Sequence, residues 1–209
     1  MTQAEKYEVM KMEVPIKVVG VGGGGNRADN HMYNSGMGGV EFLAIDTNLI
    51  ELRFSKAVCQ LNIGNKLTRG KHTNGNPEIG EKAAEESREE IMAALKGTDM
   101  VFIIAGMGGG TGTGAAPIVA EIARNLGCFT MGVVTRPFAV EGKCTRQAEE
   151  GIDKLKDKVD ALLVIPHERM QYIGPEITIA TAITMERGYE TANKVLCQAV
   201  KGISDLINI

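Results

Sequence analysis

The chain has 209 residues, of which 44% are hydrophobic and 23% charged, and its formal net charge is −3. This length suits one domain with a substantial core, and a weakly acidic chain without a dense basic cluster is not expected to bind nucleic acid as its main partner. No apolar run reaches the roughly 18 residues of a membrane span. Four widely spaced cysteines predict reduced thiols in a cytosolic protein, with neither a disulfide framework nor a metal site.

The first glycine-rich stretch follows directly on a short apolar run. Residues 16–21 (IKVVGV) are apolar on both faces, which predicts a strand buried in a parallel sheet. Four glycines and Asn26 come next, and a helix is predicted from there to about Ser35. Residues 1–13 have mixed charge without an apolar core, so we expect a flexible tail and no signal peptide.

The rest of the chain alternates predicted strands and helices. Strands are predicted at residues 40–45, 57–63, 100–105, 129–135 and 161–165, and a loop at 70–80. Helices are predicted at residues 77–96, from the second glycine stretch to 125, at 146–158 and at 185–207. This alternation predicts an α/β fold with a Rossmann-like, doubly wound, mostly parallel sheet and helices on both faces.

The second glycine-rich stretch, GGGTGTG at residues 108–114, carries the strongest functional signal. Glycines bury no side chain and cost conformational entropy, so five in seven positions predict a close backbone approach to a ligand and not packing. A strand, a glycine turn and a helix start present backbone N–H groups and a positive helix end, which suit phosphate. Thr111 and Thr113 add hydroxyls, and Pro117 is expected in the first turn of the helix. The alternative to a phosphate-binding loop is a flexible loop that only connects the strand to the helix.

The first glycine stretch has a competing interpretation. Gly20, Gly22 and Gly25 form a GxGxxG pattern between strand and helix, and Asp46 ends the next predicted strand. That pattern is typical of dinucleotide-binding proteins, in which the acid binds a ribose hydroxyl, so an NAD-binding enzyme is one hypothesis. It leaves the second glycine stretch unexplained, whereas two glycine loops facing one site suit a phosphate chain bound from both sides.

Five segments carry a more specific pattern. They are VGVGGGGN (19–26), EKAAEESREEI (81–91), AGMGGGTGTGAAP (105–117), VVTRPF (133–138) and GISDLI (202–207). Together they resemble FtsZ, of the tubulin/FtsZ superfamily of self-assembling GTPases, and the likeness extends from about Ile16 to Ile209. The resemblance implies a GTP-binding domain at 14–185 and, at 186–209, the start of an interdomain helix packed on that domain.

The resemblance also implies function, cofactors and partners. It points to a septum-forming, cytoskeletal GTPase of cell division that binds GTP or GDP. Mg²⁺ is a possible cofactor bound with the nucleotide, and no metal site formed by the protein alone is expected. Its partners would be other FtsZ-like subunits in head-to-tail filaments, and division regulators, without nucleic acid or membrane insertion. The expected location is the cytoplasm, with a division ring at mid-cell, or the plastid stroma if the source is eukaryotic.

The nucleotide-binding residues are carried over position by position. They are Gly22, Gly23, Gly24, Gly25, Asn26, Asp46, Asn74, Gly75, Gly106, Gly108, Gly109, Gly110, Thr111, Gly112, Thr113, Gly114, Pro137, Glu141, Arg146, Tyr189 and Asn193. Glu141 would contact the ribose, Tyr189 would stack near the guanine and Asn193 would contact the base edge through its oxygen. The alternative interpretations are that Glu141 is a solvated loop carboxylate, Tyr189 a core aromatic and Asn193 an amide on the helix surface.

Several positions depart from the FtsZ pattern. Residues 72–76 read HTNGN where small residues of GAGAN type are usual, Arg27 replaces a small polar residue, and AIDTN (44–48) replaces AINTD. The arginine expected after Glu141 has no clean counterpart, with Arg146 the first candidate and Lys143 the second.

The chain contains no predicted catalytic residues. In FtsZ an acidic loop after GISDLI completes the neighbouring subunit's site, and this sequence stops at Ile209, before that loop. We therefore expect little or no hydrolysis by this chain alone, which would be a piece of a longer protein or a naturally short relative. A non-hydrolysing cap or regulator of FtsZ-like filaments is the alternative function.

Overall fold

A computed structural model describes residues 14–170 and 183–207, with side chains for 14–169 and 191–207. Its described residues form one six-stranded sheet in the order β3-β2-β1-β4-β5-β6, with every neighbouring pair parallel. The strands are β1 (Ile16–Val21), β2 (Glu41–Asp46), β3 (Cys59–Asn62), β4 (Met100–Gly106), β5 (Phe129–Arg136) and β6 (Ala161–Pro166). The predicted doubly wound α/β fold is confirmed.

Helices cover both faces of the sheet and create two cores. They are α1 (Gly22–Asn34), α2 (Leu49–Arg53), α3 (Asn65–Thr68), α4 (Pro77–Glu86), α5 (Arg88–Leu95), α6 (Thr111–Asn125), α7 (Lys143–Lys156), α8 (His167–Met170) and α9 (Ile183–Ile207). Alternate residues of β4 face opposite ways: Val101 and Ile103 pack with α4–α7, and Phe102 and Ile104 with α1 and α9. Both faces are buried, which explains why this strand reads as a continuous apolar run.

Several predicted boundaries were wrong for local physical reasons. The helix expected at 77–96 divides at Ser87, whose hydroxyl accepts a hydrogen bond from the Gly64 N–H at 3.1 Å and so ties the junction of α4 and α5 to another segment. The loop expected at 70–80 ends at Asn76, whose side chain caps α4 by accepting from the Glu78 N–H. Pro117 is the seventh residue of α6 and not part of its first turn.

Part of the predicted organisation lies outside the described residues. The tail expected at 1–13 falls there, as do residues 171–182 and 208–209, and the division between 185 and 186 stays a prediction. Within residues 14–170 and 183–207, no helix is both long enough and apolar enough to cross a bilayer.

Candidate functional site

Two connected cavities lie at the carboxyl ends of β1, β2, β4 and β5, where ligands of doubly wound sheets bind. The first, here called the glycine lobe, has a volume of about 400 Å³ and is lined by Val21, Gly22, Gly23, Gly24, Arg27, Asp46, Glu51, His72, Thr73, Asn74, Gly75, Gly106, Gly109, Gly110, Thr111 and Gly112. The second, here called the α9 lobe, has a volume of about 280 Å³ and is lined by Gly24, Arg27, Ala105, Gly106, Met107, Gly108, Gly109, Thr135, Pro137, Glu141, Cys144, His167, Ala192, Asn193 and Leu196. Four residues line both lobes, so one extended ligand can occupy the two.

Two helix N-termini meet at the glycine lobe. Helix α1 begins at Gly22 directly after Val21, and α6 begins at Thr111 after Gly110; neither start has a side-chain cap. The two starts are close together, because a Cβ added to Gly22 would lie only 2.7 Å from the backbone nitrogen of Gly112. Uncapped N–H groups and two positive helix ends make the lobe suited to an anion with several oxygens, such as a phosphate chain.

The glycines of the second stretch have two different roles. Gly109 faces open space, with no heavy atom within 4 Å of an added Cβ, so the backbone there is accessible to a ligand. At Gly110 a Cβ would overlap Thr73, and at Gly114 it would overlap the carbonyl of Pro77. The expectation that these glycines do not serve packing was therefore wrong for Gly110 and Gly114, which let α6 lie directly against α4 and the loop before it.

The two threonines of this stretch point in different directions. Thr111 lines the glycine lobe, and its hydroxyl lies 3.0 Å from the hydroxyl of Thr47. Thr113 lines neither lobe; its Oγ1 accepts a hydrogen bond from the Gly108 N–H at 2.8 Å. Gly108 has a φ of +105°, so Thr113 stabilises a backbone turn that most side chains would strain.

Three other predicted site residues lie behind or beside the lobes. Gly25 packs on β4, where an added Cβ would overlap the carbonyl of Ile104. Asn26 is buried and donates through Nδ2 to Asp46 Oδ2 at 3.3 Å, so it positions another predicted residue. Arg146 is exposed on α7 and lines neither lobe.

The α9 lobe gathers the residues predicted to contact ribose and base. Pro137, Glu141 and Asn193 all line it, while the side chain of Tyr189 lies outside the described residues. Glu141 also has a structural contact, because its Oε1 accepts from the Phe138 N–H at 2.9 Å in the 3-10 turn Ala139–Glu141. The nucleotide-contact roles of these residues stay predictions.

The structure adds residues that the sequence did not single out for the site. Arg27 departs from the FtsZ pattern, and it is the sole lysine or arginine among the described residues lining the two lobes. His167 lines the α9 lobe, and its ring packs on Phe138 with centroids 5.4 Å apart. The signal that could have found His167 is its position directly after β6, since ligand contacts cluster beyond the strand ends.

Burial controls the titration of the acidic groups at this end of the sheet. Burial is the main cause that raises the pKa of Asp46; hydrogen bonds from the Asn48 and Thr47 backbone oppose it, and nearby Glu51 adds to it. Burial also raises the pKa of Asp29, on α1, well above its usual range. The pKa of His167 is lowered, again mainly by burial.

Within the described residues, no group of three or more His, Cys, Asp or Glu side chains could hold a metal ion.

A family model described as "Tubulin/FtsZ family, GTPase domain" matches residues 15–175, which is more than half of the chain. The chain belongs to the Tubulin/FtsZ family. The predicted resemblance is thereby confirmed.

Two solved structures of FtsZ agree with this assignment, and a third solved structure shares the fold. The chain is 42% identical to FtsZ of M. jannaschii, solved as an empty dimer, with a TM-score of 0.89 over 100% of this chain and 60% of that one. A variant of M. jannaschii FtsZ is 45% identical with a TM-score of 0.85, covering 93% of this chain and 57% of its own. CetZ2 of Haloferax volcanii, a GTPγS-bound protofilament, shares the fold at 23% identity and a TM-score of 0.78, over 91% and 58% of the two chains. The chain thus spans about three fifths of the length of these FtsZ chains.

Proposed function

We propose that this chain is the guanine-nucleotide-binding domain of an FtsZ-like GTPase that assembles into head-to-tail filaments and acts in cell division. In the whole protein, GTP would be hydrolysed to GDP and phosphate at the interface between subunits. The observation that carries the binding proposal is the meeting of two uncapped helix N-termini, at Gly22 and Thr111, in one glycine-lined cavity.

We assign one part of the nucleotide to each lobe. The phosphate chain would lie in the glycine lobe, where backbone N–H groups and Arg27 face negative oxygens. The ribose and guanine would lie in the α9 lobe beside Glu141 and Asn193. The Asn193 oxygen can accept from the N–H groups of guanine, whereas adenine presents a different set of donors and acceptors.

Family membership favours a GTPase over the nicotinamide-binding hypothesis. The contacts of Asp46, the acid that a dinucleotide site would direct at the ribose, support this preference. Its Oδ2 accepts from Asn26 and its Oδ1 from the Asn48 N–H, and it is only 3% exposed. Any Mg²⁺ would be brought by the phosphates of the nucleotide, since the described residues contain no preformed metal-binding group.

A calorimetric titration of the purified chain with GTP, GDP, ATP and NAD⁺ tests the proposal. We expect both guanine nucleotides to bind and the other two to bind at least tenfold more weakly. The variant Asn193→Leu should reduce the preference for guanine, while Gln198→Leu, an amide exposed on the same helix and outside both lobes, should leave it unchanged. Equal binding of ATP and GTP would refute the guanine assignment.

A further inference from the structure

Two polar side chains of α1 meet at a gap in β1, here called the Gly20 notch. Gly20 has no side chain, and a Cβ placed on it would overlap Asp29 Oδ2 and lie 2.9 Å from Asn26 Oδ1. Both residues are buried, with Asp29 1% and Asn26 3% exposed, and neither lines a lobe. The carboxyl of Asp29 and the amide oxygen of Asn26, three residues apart on α1, thus converge on one buried point.

The amide of Asn26 is fixed in one orientation. Its Nδ2 donates to Asp46 Oδ2 at 3.3 Å and to the Ile45 carbonyl at 3.4 Å. The carbonyl can only accept a hydrogen bond, so turning the amide over would set two acceptors against each other. The Asn26 oxygen therefore faces the Gly20 notch.

The Gly20 notch contains three oxygen atoms that lack a donor. They are Oδ1 and Oδ2 of Asp29 and Oδ1 of Asn26, none of which has a hydrogen-bond partner in the described part of the chain. An ionised carboxylate buried without a partner is costly, and an unpaired amide oxygen adds to that cost. A single proton on Asp29 relieves both, because the O–H of a carboxylic acid can donate to the amide oxygen of Asn26.

Among the described side chains, no cation takes the place of that proton. The elements packed against α1 are β1, β2, β4, α6 and α9. The charged group that reaches the notch from them is Asp46, an acid, through Asn26. The remaining described charges on α1 and on these elements are exposed or half-buried, and they are Lys17, Arg27, His31, Glu41, Glu121, Arg124, Lys194, Lys201 and Asp205. Burial is accordingly the main cause that raises the pKa of Asp29.

We propose that Asp29 is a positioning residue for nucleotide binding: its neutral carboxyl donates to Asn26 Oδ1 and so fixes the amide that holds Asp46 at the wall of the glycine lobe. The inference rests on the proposed function for its effect on the nucleotide. The contacts continue from Asp46 Oδ1 to the Asn48 N–H at 3.1 Å, where α2 is capped. Asp29 thereby joins the phosphate-facing start of α1 to the end of β2, and loss of its proton would turn that contact into a repulsion.

Infrared spectroscopy of the 209-residue chain without nucleotide measures the protonation of Asp29. At about pH 7, where an ordinary aspartate is ionised, the wild-type spectrum minus that of Asp29→Asn should contain the C=O stretch of one protonated carboxyl. The same subtraction with Asp153→Asn, an exposed position on α7 outside both lobes, should contain only carboxylate bands. Carboxylate bands alone in the Asp29→Asn subtraction would overturn the proposal.

Two alanine variants on α1 separate positioning from folding. Asp29→Ala removes the donor to Asn26 and should weaken GDP binding about threefold to tenfold, the equivalent of one hydrogen bond. Asp29→Asn, whose NH₂ group can donate in place of the acid, should stay within about twofold of the wild type. Met32→Ala truncates another buried side chain of α1 and should lower the stability without changing GDP affinity. Equal losses of affinity in Asp29→Ala and Asp29→Asn, or in Asp29→Ala and Met32→Ala, would overturn the positioning role.

A double-mutant cycle shows whether Asp29 acts through Asn26. Asn26→Ala alone should also weaken GDP binding, and adding Asp29→Ala should weaken it little further, because the acid has then lost the group through which it acts. Additive losses of affinity would overturn the link between the two residues. If the wild type binds no guanine nucleotide, the proposed function fails, and the infrared measurement still decides whether Asp29 is the neutral donor in the Gly20 notch.

Discussion

Replacing Gly110 with alanine should destabilise the protein, while the same change at Gly109 should not. An added Cβ at Gly110 would overlap the Thr73 hydroxyl and lie 2.9 Å from the Asn76 nitrogen. The neighbours cannot retreat, because Thr73 is buried and its carbonyl accepts the Asn76 N–H at 3.0 Å. At Gly109 an added Cβ would have no heavy atom within 4 Å apart from its chain neighbours, and the φ of Gly109 is not positive.

Overpacking of a well-packed site costs about 1 to 3 kcal/mol. For a chain of this size that corresponds to a fall in Tm of roughly 2 to 4 °C per kcal/mol. Gly109→Ala should change the free energy of unfolding by no more than about 1 kcal/mol, and in the stabilising direction, because alanine restricts the unfolded chain. Thermal unfolding followed by circular dichroism, with urea midpoints as a check, compares the two variants under identical conditions. Equal losses in both variants, or a neutral Gly110→Ala, would refute the assignment of Gly110 to packing and Gly109 to the ligand face.

Three further predictions concern the site and its support. Arg27→Ala should weaken GTP and GDP binding about fivefold to tenfold through loss of charge-assisted hydrogen bonds, and should reduce the salt dependence of binding measured by calorimetry. Arg53→Ala, on α2 and outside both lobes, should change neither the affinity nor its salt dependence. Unchanged affinity in Arg27→Ala would place Arg27 away from the phosphates. Thr113→Val should cost about 1 to 3 kcal/mol in urea unfolding by leaving the Gly108 N–H without its acceptor, and a neutral effect would show that this hydrogen bond is dispensable. Asp29→Asn should remove a pH dependence of the stability. Because the pKa of Asp29 is raised in the folded state, the folded protein keeps a proton that the unfolded chain releases. The stability of the wild type therefore falls as the pH rises above the ordinary aspartate range. Identical stability–pH curves for the two proteins would contradict that burial effect.

The sheet was predictable because its signals are local. The apolar runs of β1 and β4 are buried on both faces, so each reads as a strand without reference to the rest of the chain. The order strand, glycines, helix then placed both glycine stretches at the same edge of the sheet. The short helices α2, α3 and α8 were missed, because four or five residues hold too little of a 3.6-residue period to be recognised.

Other features depend on which segments meet, which the sequence does not show. The packing role of Gly110 and Gly114 arises from the approach of α6 to α4, two helices separated by α5 and β4 in the chain. In the sequence, Arg27 is visible only as a departure from the FtsZ pattern. The structure shows that it lines both lobes, which makes it a candidate phosphate contact. Arg146 was selected by spacing after Glu141, but its position on α7 directs it away from both lobes, because helix phase and not chain distance decides which residues reach a site.

A crystal structure of this chain with GDP bound tests the central claim most directly. The account predicts phosphate oxygens within hydrogen-bonding distance of the backbone N–H groups at the starts of α1 and α6, and guanine in the α9 lobe beside Asn193. Density for the nucleotide elsewhere on the surface would contradict it. So would a reversed nucleotide, with guanine in the glycine lobe and the phosphates against α9.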